Sequence, residues 1–416
     1  MTHQHSGTPV IEAPEISAPP VSSASVPAQG KVASRTPASP GAEAQGERLL
    51  SLDVFRGITI AGMLLVNNPG TWGAQYAPLK HADWHGWTPT DLIFPFFLFI
   101  VGVSMTFSFG RMLEKGLTRE TILLKSVKRA ALIFLVGLLM HGFPSYIDNL
   151  PTLRIPGVLQ RIAIAYLIAA PIVLYTRVKG IVVAIAALLL GYWVAMTMIP
   201  VPGGFPGILQ KGQDLGAFID RAIFGTNHLW NQSRTWDPEG LLSTFPAVGT
   251  ALLGVLAGYW IRSPRTQLEK TVGLFVAGNI GLVLGLMWHQ LFPINKPLWT
   301  SSYVIFTAGM ACHFLALCYW LIDVKGYRRW TLPFLIFGMN AITAFFLSSI
   351  GARSLNLIKV AGPTGEPIAL KTYIFTNFYQ SWLSPINASL AFAITYVLFW
   401  LGVMAILYKR RIFIKL

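Results

Sequence analysis

Apolar runs long enough to cross a lipid bilayer recur along almost the whole chain. The expected spans are residues 52–70, 91–110, 129–143, 157–176, 181–199, 241–261, 271–292, 302–322, 332–351 and 388–408. A helix needs about 20 mostly apolar residues to cross the hydrocarbon. Lipid offers no hydrogen bonds to the backbone, so each such run must be helical. The run at 129–143 is short, and it is expected to be tilted, extended or flanked by snorkelling side chains. Only 12% of the 416 residues are charged, against about 25% in soluble domains. The expected fold is therefore all-α: a polytopic transmembrane bundle of about ten spans with both termini cytoplasmic.

The formal net charge is +15. Its distribution excludes a nucleic-acid interface, because Lys and Arg collect in short runs between the apolar segments and form no stripe on a polar fold. With the N-terminus inside, more than twice as many Lys and Arg fall on the inner side as on the outer. Examples are the runs 111–129, 325–329 and 409–415. The positive-inside bias sets the orientation. The outer segments 71–90, 144–156, 200–240 and 352–387 carry most of the polar and aromatic loop residues, where function usually resides. Residues 1–46 are rich in Pro, Ala and Ser and lack aromatics; they are expected to be a disordered cytoplasmic tail. Residues 47–416 form the transmembrane domain.

Cys312 and Cys318 are the two cysteines. Six helical positions separate them by about 9 Å along the axis, too far for a disulfide. No Cys/His spacing suggests a metal, and no phosphate-cradling glycine loop or nucleophile elbow is present.

Several polar residues at the span ends are candidates for chemistry. The segment KHADWHGW at 80–87 contains His81 and His85. Histidine suits proton transfer near neutral pH, although an interfacial aromatic belt accounts for the same residues. Asp91 opens the next span. It is either a helix-start acid favoured by the macrodipole or the carboxylate that accepts a hydrogen bond from His81 and fixes its tautomer. Asn67, at the end of the first span, either donates to a carbonyl oxygen or caps a helix. Asp53 and Arg56 share one helix face at i, i+3; the pair is local, or the guanidinium meets phosphates of a cytoplasmic ligand. Arg154, Gln160 and Arg161 lie at the mouth of another span, where buried charge is expensive. The runs WDPEG at 236–240 and NKPLW at 295–299 also lead into spans. In the first, Asp237 is a candidate N-cap and Pro238 a candidate first helical residue.

Taken together and in order, the motifs RLLSLDVFRG, VNN, KHADWHGWTPTDLIFPFFLFIVG, RIPGVLQR, VPGG, DPEG, INKPLWTSSYV, DVKG and GMN resemble the transmembrane acetyltransferases related to heparan-α-glucosaminide N-acetyltransferase. The resemblance covers the chain from Arg48 onward. It implies transfer of acetyl from cytoplasmic acetyl-CoA to a terminal glucosamine across the membrane. It maps the family's active-site histidine onto His81, its aspartate onto Asp91 and its asparagine onto Asn67. The stretch between Asn67 and His81 looks a few residues longer than in the lysosomal enzyme. That enzyme's large luminal domain and extra first helix have no counterpart here.

The functional expectation is an acetyl-CoA-dependent N-acetyltransferase of the bacterial inner membrane, acting on an amino sugar or envelope glycan. His81 is the base or acyl carrier, Asp91 its orienter and Asn67 a carbonyl donor. Arg56, Arg154, Gln160 and Arg161 are the expected donor contacts. No metal or nucleic acid is expected, and a homodimer is a candidate assembly. Two rivals remain open: a secondary transporter or channel for a sugar or anion, and an acyltransferase that modifies a hydroxyl.

Overall fold

The structure is a computed structural model that describes residues 49–362 and 365–414. The expected tail at 1–46 lies outside the described residues. The helices are α1 (Leu50–Asn67), α2 (Ile93–Glu114), α3 (Arg119–Gly142), α4 (Val158–Tyr175), α5 (Val178–Met198), α6 (Leu215–Phe224), α7 (Leu241–Arg262), α8 (Gln267–His289), α9 (Ser301–Tyr319), α10 (Leu332–Met339), α11 (Ala341–Leu357), α12 (Leu370–Ile374) and α13 (Pro385–Lys409). One small antiparallel hairpin, β1 (Lys359–Ala361) with β2 (Pro367–Ala369), interrupts the α11–α12 connection.

Among the described residues, eight helices are long and apolar enough to span a bilayer, and a ninth span arises if the bent pair α10–α11 counts as one. The chain is an integral membrane protein. Of the ten expected spans, one differs from expectation, and the short one at 129–143 is extended, as expected of it, though it is not among the eight. The run at 332–351 is not one straight helix: it breaks at Asn340 with an 85° bend. The Asn340 side chain there donates to the Ile412 carbonyl (3.0 Å) and accepts from the Ile414 amide (2.9 Å). The run at 129–143 is the apolar part of α3, which begins ten residues earlier in a turn capped by Thr118. Its first half carries Arg119, Glu120, Lys125, Lys128 and Arg129, whereas its second half exposes Leu132, Leu135 and Leu139. Arg353 of α11 satisfies the end of α3 by donating to the carbonyls of Met140 (2.6 Å) and His141 (3.2 Å).

Burial separates an inner layer from a lipid-facing one. Of the apolar stretch, 72% is buried in the α2 span and in α7, against 28% in α5 and α13 and 22% in α8. The outer helices present Val183, Val283, Leu284 and Leu398 outward, as a hydrocarbon solvent permits. Cys312 and Cys318 are free and buried in α9.

Polar contacts tie the elements together at each end of the bundle. At the basic end Arg262 meets Glu114 (3.4 Å) and Arg56 meets Ser104 (2.7 Å). The opposite end carries the long loops, which are tied together by Trp84 donating to the Leu209 carbonyl (2.7 Å) and by Arg154 bonding Asp237.

Candidate active site

The site begins with a turn. Thr88, Pro89 and Asp91 form a capping box ahead of α2: Pro89 occupies the first helical position, and the Asp91 carboxylate reaches back to the Thr88 amide. Asp91 Oδ2 accepts from the amides of Thr88 and Ala82, both at 3.0 Å. That leaves Oδ1 for His81, whose Nδ1 lies 2.6 Å away. Asp91 therefore both opens the helix and pairs with histidine. Its side chain is only 2% exposed, while that of His81 is 44% exposed. A carboxylate accepts and cannot donate, so His81 Nδ1 carries a proton, and in the neutral ring the lone pair is then on Nε2. From α9, the buried Tyr303 hydroxyl donates to the Asp91 backbone carbonyl (2.5 Å) and ties the turn to the bundle.

A second loop, between α8 and α9, packs on the first. The Gly86 amide donates to the Ile294 carbonyl (2.7 Å), and the Asn295 side chain donates to the Trp84 carbonyl (2.9 Å). Asn295 Oδ1 accepts from the Leu298 amide (2.8 Å), which closes the loop on itself. This stitching places Lys296 Nζ 3.1 Å from His81 Nδ1, 3.3 Å from His81 Nε2 and 3.7 Å from Asp91 Oδ1. Burial pulls the Lys296 ammonium below the ordinary lysine range, while Asp91 and Glu239 favour its charged form. Sequence reasoning marked the NKPLW run as polar but did not connect Lys296 or Tyr303 to His81. Nothing local announces a partner more than two hundred positions away.

The remaining expected residues take separate places. Asn67 ends α1 with an exposed side chain and is not bonded to the His81–Asp91 pair. Arg154 is taken up by carboxylates: Nε and Nη2 bond Asp237 (2.8 and 2.5 Å), and Nη2 also bonds Glu239 (2.5 Å). Burial opposes its charge, but Glu239 and Asp237 more than offset this and make the guanidinium more basic than usual. Asp237 is accordingly not the N-cap of α7. Gly240 holds that position, and Asp237 and Pro238 precede it. Gln160 packs against Gly137, with its amide 3.4 Å from His141. Arg161 is fully buried; it donates to the Gly240 carbonyl (3.2 Å) and to Ser243, and it stacks on the Trp299 ring at 4.9 Å.

The Arg154 triad makes a stability prediction. The Asp237 side chain is 0% exposed and that of Glu239 is 9% exposed. Removing one partner of a buried pair typically costs about 3–5 kcal/mol, because charge is left uncompensated. Arg154→Met is expected to lower the melting temperature in detergent by several degrees. An unchanged melting curve would show that the triad contributes no net stability.

The comparisons with known proteins agree on one family. The family described as "Heparan-alpha-glucosaminide N-acetyltransferase, catalytic" matches residues 48–291. Heparan-alpha-glucosaminide N-acetyltransferase of Homo sapiens is 31% identical over 351 residues, covering 72% of this chain and 52% of the relative. The Mus musculus protein of the same name is 29% identical over 423 residues, covering 89% of this chain and 60% of the relative. The chain belongs to this family. It spans little more than half the length of the curated relatives it matches.

In this family member, the match runs from α1 through α8 and so includes Asn67, His81 and Asp91, but it ends before Lys296. A cavity of about 270 Å³ lies in the same chain, toward the basic end. Arg56, Ser104, Ser108, Arg129, Ile162, Tyr166 and Ile414 are among the residues lining it. Of the four expected donor contacts, Arg56 alone lines this cavity. The Arg56 guanidinium is held toward it by Asp53 (2.9 Å) and Ser104 (2.7 Å). Arg129, which sequence reasoning counted only among the inner-loop charges, also lines it. Of the α2 residues that line the cavity, Phe97 is the nearest in sequence to Asp91, six residues along the chain, or about 9 Å at helical rise.

Proposed function

We propose that the protein is a transmembrane N-acetyltransferase that takes acetyl from acetyl-CoA at the basic, cytoplasmic end and delivers it to an amino sugar at the loop-bearing end. The observation that carries this reading is the relation between the two features just described. A histidine whose Nδ1 is paired with a buried carboxylate stands at one end, and a cavity lined by two arginines approaches it along α2 from the other.

The chemistry follows from the groups present. The cavity's guanidiniums suit the phosphates of coenzyme A, and its apolar walls, such as Val101, Ile133 and Ile162, suit an alkyl arm. As the acceptor amine attacks the thioester carbonyl, a C–N bond forms and His81 Nε2 takes the amine proton. The tetrahedral adduct then collapses, the C–S bond breaks, and the imidazolium returns the proton to the departing thiolate. Asp91 holds Nδ1–H and stabilises the cation in between. Asn67 is placed in this scheme by resemblance, as a donor to the carbonyl oxygen.

The test is transfer of labelled acetyl from acetyl-CoA to glucosamine by purified protein in liposomes. Arg56→Ala and Arg129→Ala are each expected to raise KM for acetyl-CoA by roughly tenfold or more, the scale of one charge-assisted hydrogen bond, with kcat changed less. No transfer by the wild type, to either an amine or a hydroxyl acceptor, would remove the proposal.

A further inference from the structure

The geometry points to Lys296 as a positioning residue for the His81–Asp91 pair: its ammonium balances the Asp91 carboxylate and holds His81 in the neutral form that can act as a base. For its catalytic meaning this rests on the acetyl-transfer reading above. The electrostatic claim stands on the contacts themselves.

Lys296 Nζ is almost equidistant from the two imidazole nitrogens, at 3.1 and 3.3 Å. The lone pair of one nitrogen and the N–H of the other lie in the ring plane and diverge. An atom this close to both, and clear of the Cε1 carbon between them, stands over the ring face. Lys296 is therefore not an acceptor's partner in line with Nε2, and it leaves that lone pair open. A cation in this position acts on His81 through its charge. Nearby positive charge disfavours imidazolium, whereas a lone carboxylate favours it. With Asp91 and Lys296 both present, the two fields oppose each other.

The other charged groups around the pair do not duplicate this cation. Lys80 and Asp83, the sequence neighbours of His81, are exposed. His85 faces Asn295 and His289. From α9 only the Tyr303 hydroxyl reaches Asp91, at its backbone carbonyl. Glu239 and Arg161 act on the charge of Lys296 in opposite senses, and Glu239 is itself bonded by Arg154. The Lys296 loop is fixed by Asn295 and by the Gly86–Ile294 hydrogen bond, so the cation is held in place by the fold.

Two measurements on the full chain in detergent or liposomes test this. In the first, histidine-labelled protein is titrated by NMR, with the His81 signal assigned by its loss in His81→Gln. Lys296→Met and Lys296→Gln are expected to raise the His81 titration midpoint by about one pH unit or more, and Lys296→Arg to leave it near the wild-type value. In the second, the acid limb of kcat/KM for acetyl transfer moves to higher pH by the same amount in Lys296→Met, so activity falls about tenfold per unit at the acid side and recovers toward high pH. Coincident titration midpoints in wild type and both neutral variants would overturn the proposal. So would an acid limb that keeps its position while the whole profile drops. A shifted midpoint in a protein that transfers no acetyl would keep the electrostatic role of Lys296 and reject the acetyltransferase reading.

Discussion

His81→Ala is expected to reduce acetyl transfer by about a thousandfold while leaving the melting temperature in detergent close to that of the wild type. A positioned general base typically contributes about 10²–10⁴ in rate. The structural cost is small, because the side chain is 44% exposed and Asp91 keeps its two amide donors and the nearby Lys296 ammonium. Asp91→Asn tests the same pair from the other side. Two amides donate to Oδ2, so the asparagine carbonyl takes that place and its NH₂ turns toward His81. Nδ1 must then accept, the ring proton moves to Nε2, and the base is lost. The expected loss is about 10³–10⁴, the scale of a wrong tautomer. Labelled-acetyl assays alongside thermal melts separate the two effects. A His81→Ala protein that transfers acetyl at the wild-type rate removes the imidazole from the mechanism.

Local pairs were legible in the sequence and distant ones were not. Asp53 with Arg56 and His81 with Asp91 are three and ten residues apart, within the reach of one helix turn or one loop, and both contacts form. The apolar runs gave the helical spans because lipid leaves the backbone no alternative. The bend at Asn340 depends on the backbone of Ile412 and Ile414, more than seventy positions away, and no proline marks it. Arg154 looked like a ligand contact because its carboxylate partners, Asp237 and Glu239, lie on a separate loop. Lys296 escaped notice for the same reason. The closeness of α2 and α7 left a partial signal. Gly254 and Gly258 have the four-residue spacing of small residues that lets membrane helices approach, but the spacing does not name the helix they approach.

That seam supports the largest structural prediction. A Cβ on Gly102 of α2 would fall 1.8 Å from the Ala251 carbonyl oxygen of α7, and one on Gly254 would fall 2.0 Å from the Phe99 carbonyl oxygen. Each helix thus presents a glycine to the other's backbone. No rotamer change relieves a clash with a carbonyl, so the two axes must separate. Within lipid, apolar side chains gain little by leaving the hydrocarbon for one another, and close packing is what joins helices. Gly102→Leu is therefore expected to yield no monodisperse protein in detergent size exclusion. Any surviving fraction should lose activity, because the turn that holds Asp91 leads directly into α2 and α7 carries Ser243, which accepts from Arg161. Gly191 and Gly402 serve as controls: they lie in α5 and α13, and an added Cβ there meets nothing within 4 Å. Alanine at either is expected to be neutral or stabilising by up to about 1 kcal/mol through helix propensity. If Gly102→Leu elutes and melts like the Gly191→Ala control, α2 and α7 do not meet backbone to backbone. The path from the arginine-lined cavity along α2 to the histidine would then have to be redrawn.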